Sequence, residues 1–94
     1  MGGVGEHVSL DPESTTVAPS GKKSFQVMAM ETFAESAIWS VKENSGGTVV
    51  ADNVSYPRSA IYTAPSTPGT YHLRAKVTLP NKTQTVEATV VVAP

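Results

Sequence analysis

Ala60-Ile61-Tyr62-Thr63-Ala64-Pro65-Ser66-Thr67-Pro68-Gly69-Thr70-Tyr71-His72-Leu73-Arg74-Ala75 is the stretch that decides the fold. Ile61 to Ala64 is short and rich in β-formers, and Pro65 to Gly69 is a dense turn. Tyr71, Leu73 and Ala75 then alternate with His72, Arg74 and Lys76. A period of two places one set of side chains on a buried sheet face and the other in water. The stretch therefore reads as strand, tight corner, strand, with a tyrosine on each side of the corner.

Working outward, the next strand along the chain fits the same plan. Gln84 to Val92 alternates as strongly as Thr70 to Leu79, and Pro80-Asn81-Lys82-Thr83 lies between them as a loop. That loop pairs Leu73 with Val90, Ala75 with Ala88, Val77 with Val86 and Leu79 with Gln84, and sets Lys76 opposite Glu87. A slip of one residue would turn the apolar set of one strand against the polar set of the other.

Upstream, short β-favouring runs recur between Pro, Gly, Asn and Ser. His7 to Asp11 stops at Pro12, which cannot donate to a ladder and so confines this opening stretch to a sheet edge. Ser14–Ala18 follows, closed by Pro19-Ser20-Gly21. Lys22–Met30 is the first long strand, with Phe25, Val27 and Ala29 on one face. Met28 and Met30 share the other face with Gln26 and are too apolar for open solvent, so either the Glu31–Ser36 loop or a neighbour is expected to cover them. Ala37–Lys42 places Trp39 inward with Val41, and Asn44-Ser45-Gly46-Gly47 makes a turn. Thr48–Ala51 and Ala60–Ala64 complete the set. No run is long enough for more than a turn or two of helix.

In this order the residues resemble the bacterial immunoglobulin-like domains, group 2-type, that occur in surface adhesins, secreted hydrolases and some phage virion proteins. The resemblance runs from about Val8 to Val92. It rests on Val8-Ser9-Leu10-Asp11-Pro12, on Thr15 to Ala18 with Gly21, and on Phe25-Gln26-Val27. Ile38-Trp39-Ser40-Val41, Tyr62-Thr63-Ala64-Pro65, Gly69 to Ala75 and Ala88 to Val92 carry the rest. Ser59-Ala60 stand where that family usually has a compact glycine. The resemblance implies an all-β, immunoglobulin-like antiparallel β-sandwich of about seven strands in two sheets. It also implies a core tryptophan at Trp39, and makes Tyr71 a corner residue whose hydroxyl bonds upstream backbone.

Composition narrows the function. A chain of 94 residues is one domain, expected over residues 7–94, with Met1 to Glu6 a flexible linker or cloning junction. The formal charge is −1 and only 16% of residues are charged, so no strong field draws nucleic acid or an anionic membrane. There is no cysteine, which excludes disulfides, thiolate nucleophiles and cysteine-held metals. His7 and His72 are the only imidazoles, and no serine lies in a nucleophile elbow. Neither an enzyme nor a cofactor or metal is expected, a calcium ion at a module junction aside.

The expected role is that of a non-enzymatic spacer or adhesion module of a larger secreted or surface-exposed bacterial protein, extracellular and monomeric in isolation; the alternatives are a carbohydrate-binding accessory domain of a secreted hydrolase and a phage virion decoration domain. Its partners would be neighbouring domains, and a carbohydrate or a cell-surface protein are further options. Candidate contact residues are Tyr56 and Phe33 as sugar platforms, Met28 and Met30 as an apolar face, and the row His72, Arg74 and Lys76. That row also reads as a solvated face neutralised by acids such as Glu87.

Overall fold

The computed structural model describes residues 7–52 and 59–94. They form eight strands: β1 (His7–Asp11), β2 (Ser14–Val17), β3 (Lys22–Met30), β4 (Ser36–Val41), β5 (Thr48–Asp52), β6 (Ser59–Thr63), β7 (Gly69–Thr78) and β8 (Thr83–Val92). No helix occurs among the described residues. Two four-stranded sheets, ordered β1-β3-β6-β5 and β2-β8-β7-β4, face each other across one core.

Pro12 explains why the opening stretch counts as two strands. The chain leaves the first sheet after Asp11 and enters the second at Ser14, so β1 pairs with β3 and β2 with β8. Both lie at sheet edges, as a proline there requires. The β2–β8 pair is parallel, whereas every other pair is antiparallel. The expected two-sheet sandwich of about seven strands is thus present, with eight strands among the described residues and one parallel seam. Setting β2 aside, the sheets follow the four-strand and three-strand order of a constant-type immunoglobulin sandwich.

The β7–β8 hairpin differs from the expected register by two residues. Val77 faces Gln84, Ala75 faces Val86, Leu73 faces Ala88 and Tyr71 faces Val90. A shift of two preserves the pleat, so alternation alone cannot separate the two registers. Loop closure decides between them: the Leu79 N–H donates to the Lys82 carbonyl at 2.7 Å, which draws Leu79 out of the strand and into the loop.

Tyr62 and Phe25, both almost wholly buried, meet edge to face with ring centroids 6.2 Å apart. Leu10, Leu73, Val77, Val90 and Val92 close around them. Each such side chain contributes roughly 1.5–3 kcal/mol by leaving water. Trp39, expected at the centre, is only half-buried and packs against the margin of this cluster. The reason is position: β4 is the outermost strand of its sheet, so its inward face meets the rim of the core. Tyr62, on an inner strand of the opposite sheet, occupies the centre instead.

Strand direction fixes where the termini lie. His7 stands beside Met30, at the end that also carries the β3–β4 loop and the β7–β8 loop. Val92 stands opposite Gly69, and the Ala93 N–H bonds the Val17 carbonyl, at the other end of the sandwich. The molecule measures 46 × 27 × 19 Å, so the chain enters and leaves at opposite ends of an elongated body.

Candidate interaction surfaces

The outer face of the second sheet is built by β7 and its neighbours. His72, Arg74 and Lys76 project from it in a row, because residues two apart on a strand share a face. Acidic partners hold two of the three. The Glu43 carboxylate, just past β4, accepts the His72 backbone N–H at 2.8 Å on Oε1 and lies 2.6 Å from His72 Nδ1 through Oε2. Arg74 Nε donates to Glu87 Oε2 at 2.8 Å. Lys76 faces Thr85 rather than Glu87, a direct consequence of the two-residue register difference.

Partial burial pushes the Glu43 carboxyl up, but the hydrogen bonds from the His72 ring and backbone outweigh it and hold the carboxyl below the usual range. The hydrogen bond from Arg74 lowers Glu87 in the same sense. Arg74 and Glu87 are about 40% exposed, so water and salt screen their attraction. The basic row is accordingly a largely compensated surface. Sequence reasoning missed Glu43 because it is remote from His72 in the chain, and no local pattern links the two.

The other described candidates, Phe33, Met28 and Met30, are exposed. Phe33 is exposed in the β3–β4 loop, while Tyr56 lies outside the described residues. Met28 and Met30 are 43% and 62% exposed on the outer face of the first sheet, so the Glu31–Ser36 loop does not cover them. They border a shallow groove beside β1, together with Ser9, Asp11 and Glu13. Among the described residues, no three His, Cys, Asp or Glu side chains are grouped closely enough to hold a metal ion.

Tyr62 and Tyr71 each bond a backbone carbonyl. Tyr71 OH donates to the Thr67 carbonyl four residues upstream at 2.8 Å, the corner bond expected of it. Tyr62 OH donates to the Gly46 carbonyl at 2.6 Å in the core.

Fold and surfaces together define an all-β, two-sheet sandwich whose polar contacts brace loops against strands. No protein-family model matches the chain, and no curated protein matches it. Solved structures do. Domains 4 and 5 of the S-layer protein SbsC superpose with a TM-score of 0.69 at 19% identity, over 95% of this chain and 52% of that one. The longer SbsC fragment 31–844 gives a TM-score of 0.69, and SbsC domains 1–6 give 0.62, each at 19% identity and over 13% of its length. At that identity the likeness is one of fold, and the chain spans about half or less of the proteins it matches.

Proposed function

We propose that this chain is a non-enzymatic, load-bearing spacer: one immunoglobulin-like module of a larger protein displayed at a bacterial cell surface. The observation that carries the reading is the placement of the chain ends. With His7 and Pro94 at opposite ends of a 46 Å body, a pull along the polypeptide runs parallel to the strands. The parallel β2–β8 seam then bears load in shear, so its hydrogen bonds resist together rather than opening one by one. The fold it shares with modules of a surface-layer protein supports the same reading.

Replacement in the parent protein tests the reading. Exchanging residues 7–94 for an unrelated sandwich of equal span should preserve surface display of the flanking regions, whereas deletion should impair it. Loss of display or binding in the exchanged protein would instead show that this chain contributes a specific recognition surface.

A further inference from the structure

The outer face of the first sheet carries a set of soft donors that the core does not use. Beyond Met1, both methionines of the chain lie there, two residues apart on β3 in the run Met28-Ala29-Met30. That spacing puts both thioethers on one face, their Cα atoms about 7 Å apart along the strand. Both side chains are exposed, at positions where a strand ordinarily favours β-branched or aromatic residues. His7 on β1 stands directly opposite Met30, and Ser9 opposite Met28. Residues so opposed have Cβ atoms about 4.5–5.5 Å apart, and the diagonal from His7 to Met28 is about 7–8 Å. One imidazole and two thioethers therefore border the same shallow groove beside β1. Met28 Sδ accepts a hydrogen bond from Gln26 Nε2 at 3.6 Å, which leaves the sulfur a second lone pair. Asp11 and Glu13 line the groove as well and bias it toward cations.

From this juxtaposition we propose that His7, Met28 and Met30 form a binding site for Cu(I), the soft monovalent copper ion. Donor chemistry selects the metal. Zinc takes imidazole, thiolate and carboxylate, whereas thioether sulfur selects Cu(I), and imidazole suits copper equally well. Copper in its reduced state is thus the ion that both donor types share. A divalent ion on hard donors fits less well, because His7 and Asp11 lie four residues apart on β1, about 13 Å. One ion does not span them. The chain's other imidazole, His72, projects from the opposite sheet and is engaged by Glu43. The groove is open to water, so the ion enters and leaves without any movement of the sheets. It lies on a sheet face away from the β2–β8 seam, and the site stands independently of the spacer reading above.

Titration of the full chain with Ag(I), a soft monovalent ion without the redox chemistry of copper, tests the site by NMR of methionine methyls and imidazole rings. The Met28 and Met30 methyls and the His7 ring should shift together and saturate at one ion per chain. The Met1 methyl and the His72 ring should stay where they are. Cu(I), held reduced by ascorbate, should compete with Ag(I), and Zn(II) should not. Met28→Leu, Met30→Leu and His7→Gln change exposed side chains at similar size, so each variant should fold with an unchanged thermal midpoint. Each should weaken Ag(I) binding by roughly 10-fold or more, since even supporting groups around a metal ion are worth about 10–100-fold. Met28→Leu combined with Met30→Leu should abolish the methyl-linked binding. Shifts confined to Met1 or His72 would overturn the site, as would tighter binding of Zn(II) than of Cu(I). Wild-type affinity in the double variant, or spectra that Ag(I) leaves unchanged, would overturn it equally.

Discussion

Tyr62 and Tyr71 converge on the turn between β4 and β5 from the two sheets, and single side chains there set much of the stability. Tyr62→Phe strands the buried Gly46 carbonyl and should cost about 1–3 kcal/mol, whereas Tyr71→Phe, at a part-buried bond, should cost about 0.5–1.5 kcal/mol. Tyr62→Ala should cost about 3–5 kcal/mol, and Trp39→Ala distinctly less, because the indole lies at the rim. Urea unfolding followed by circular dichroism ranks all four; a Trp39→Ala cost equal to that of Tyr62→Ala would return the indole to the core. Glu43 adds a pH dependence. Its folded carboxyl titrates below its unfolded value, so the unfolded chain binds more protons between the two. The stabilisation is therefore present above the ordinary carboxylate range and lost as pH falls through the folded value. Glu43→Gln should narrow the gap between unfolding midpoints at neutral and acid pH. Glu87→Gln should narrow it less, because that carboxylate is more exposed.

At the scale of elements, the hairpin register and the Gly47 turn are the sharpest tests. Lys76→Cys with Thr85→Cys should cross-link on oxidation, since the two positions are directly opposed. Lys76→Cys with Glu87→Cys is a diagonal pair roughly 7–8 Å apart and should stay reduced. Gly47 has φ +101°, and an added Cβ would collide with the Thr63 carbonyl, so Gly47→Ala should destabilise strongly. The strand boundaries were legible in sequence to within a residue or so, because Pro12, Pro19, Gly21 and the Gly46-Gly47 pair punctuate a period-two pattern. β3 was legible in full from its alternation and the turn before it. The pairing of the hairpin was not, since a two-residue shift leaves every side chain on its own face and only the loop hydrogen bond distinguishes the registers. The placement of Trp39 was hidden for a related reason: alternation shows which way a side chain points, not whether its strand is central or at an edge. The row His72, Arg74 and Lys76 was visible as a wet face, but its Glu43 partner depends on tertiary packing that links β7 to the loop after β4.

Across the whole molecule, the sandwich joins its ends by strands that run along its length, and the β2–β8 seam ties the first crossing of the chain to the last strand. The outer bonds of that seam, Thr89 N–H to the Glu13 carbonyl and Ala93 N–H to the Val17 carbonyl, place the odd-numbered peptide groups of β2 toward β8. Thr15→Pro therefore removes a rung of the seam, while Thr16→Pro removes an N–H that faces away from it. Single-molecule extension of the chain with handles at its two termini tests the load-bearing claim most directly. One sharp unfolding event is expected, its force lowered in Thr15→Pro and largely retained in Thr16→Pro. Gradual extension at low force, or equal weakening by both prolines, would contradict it.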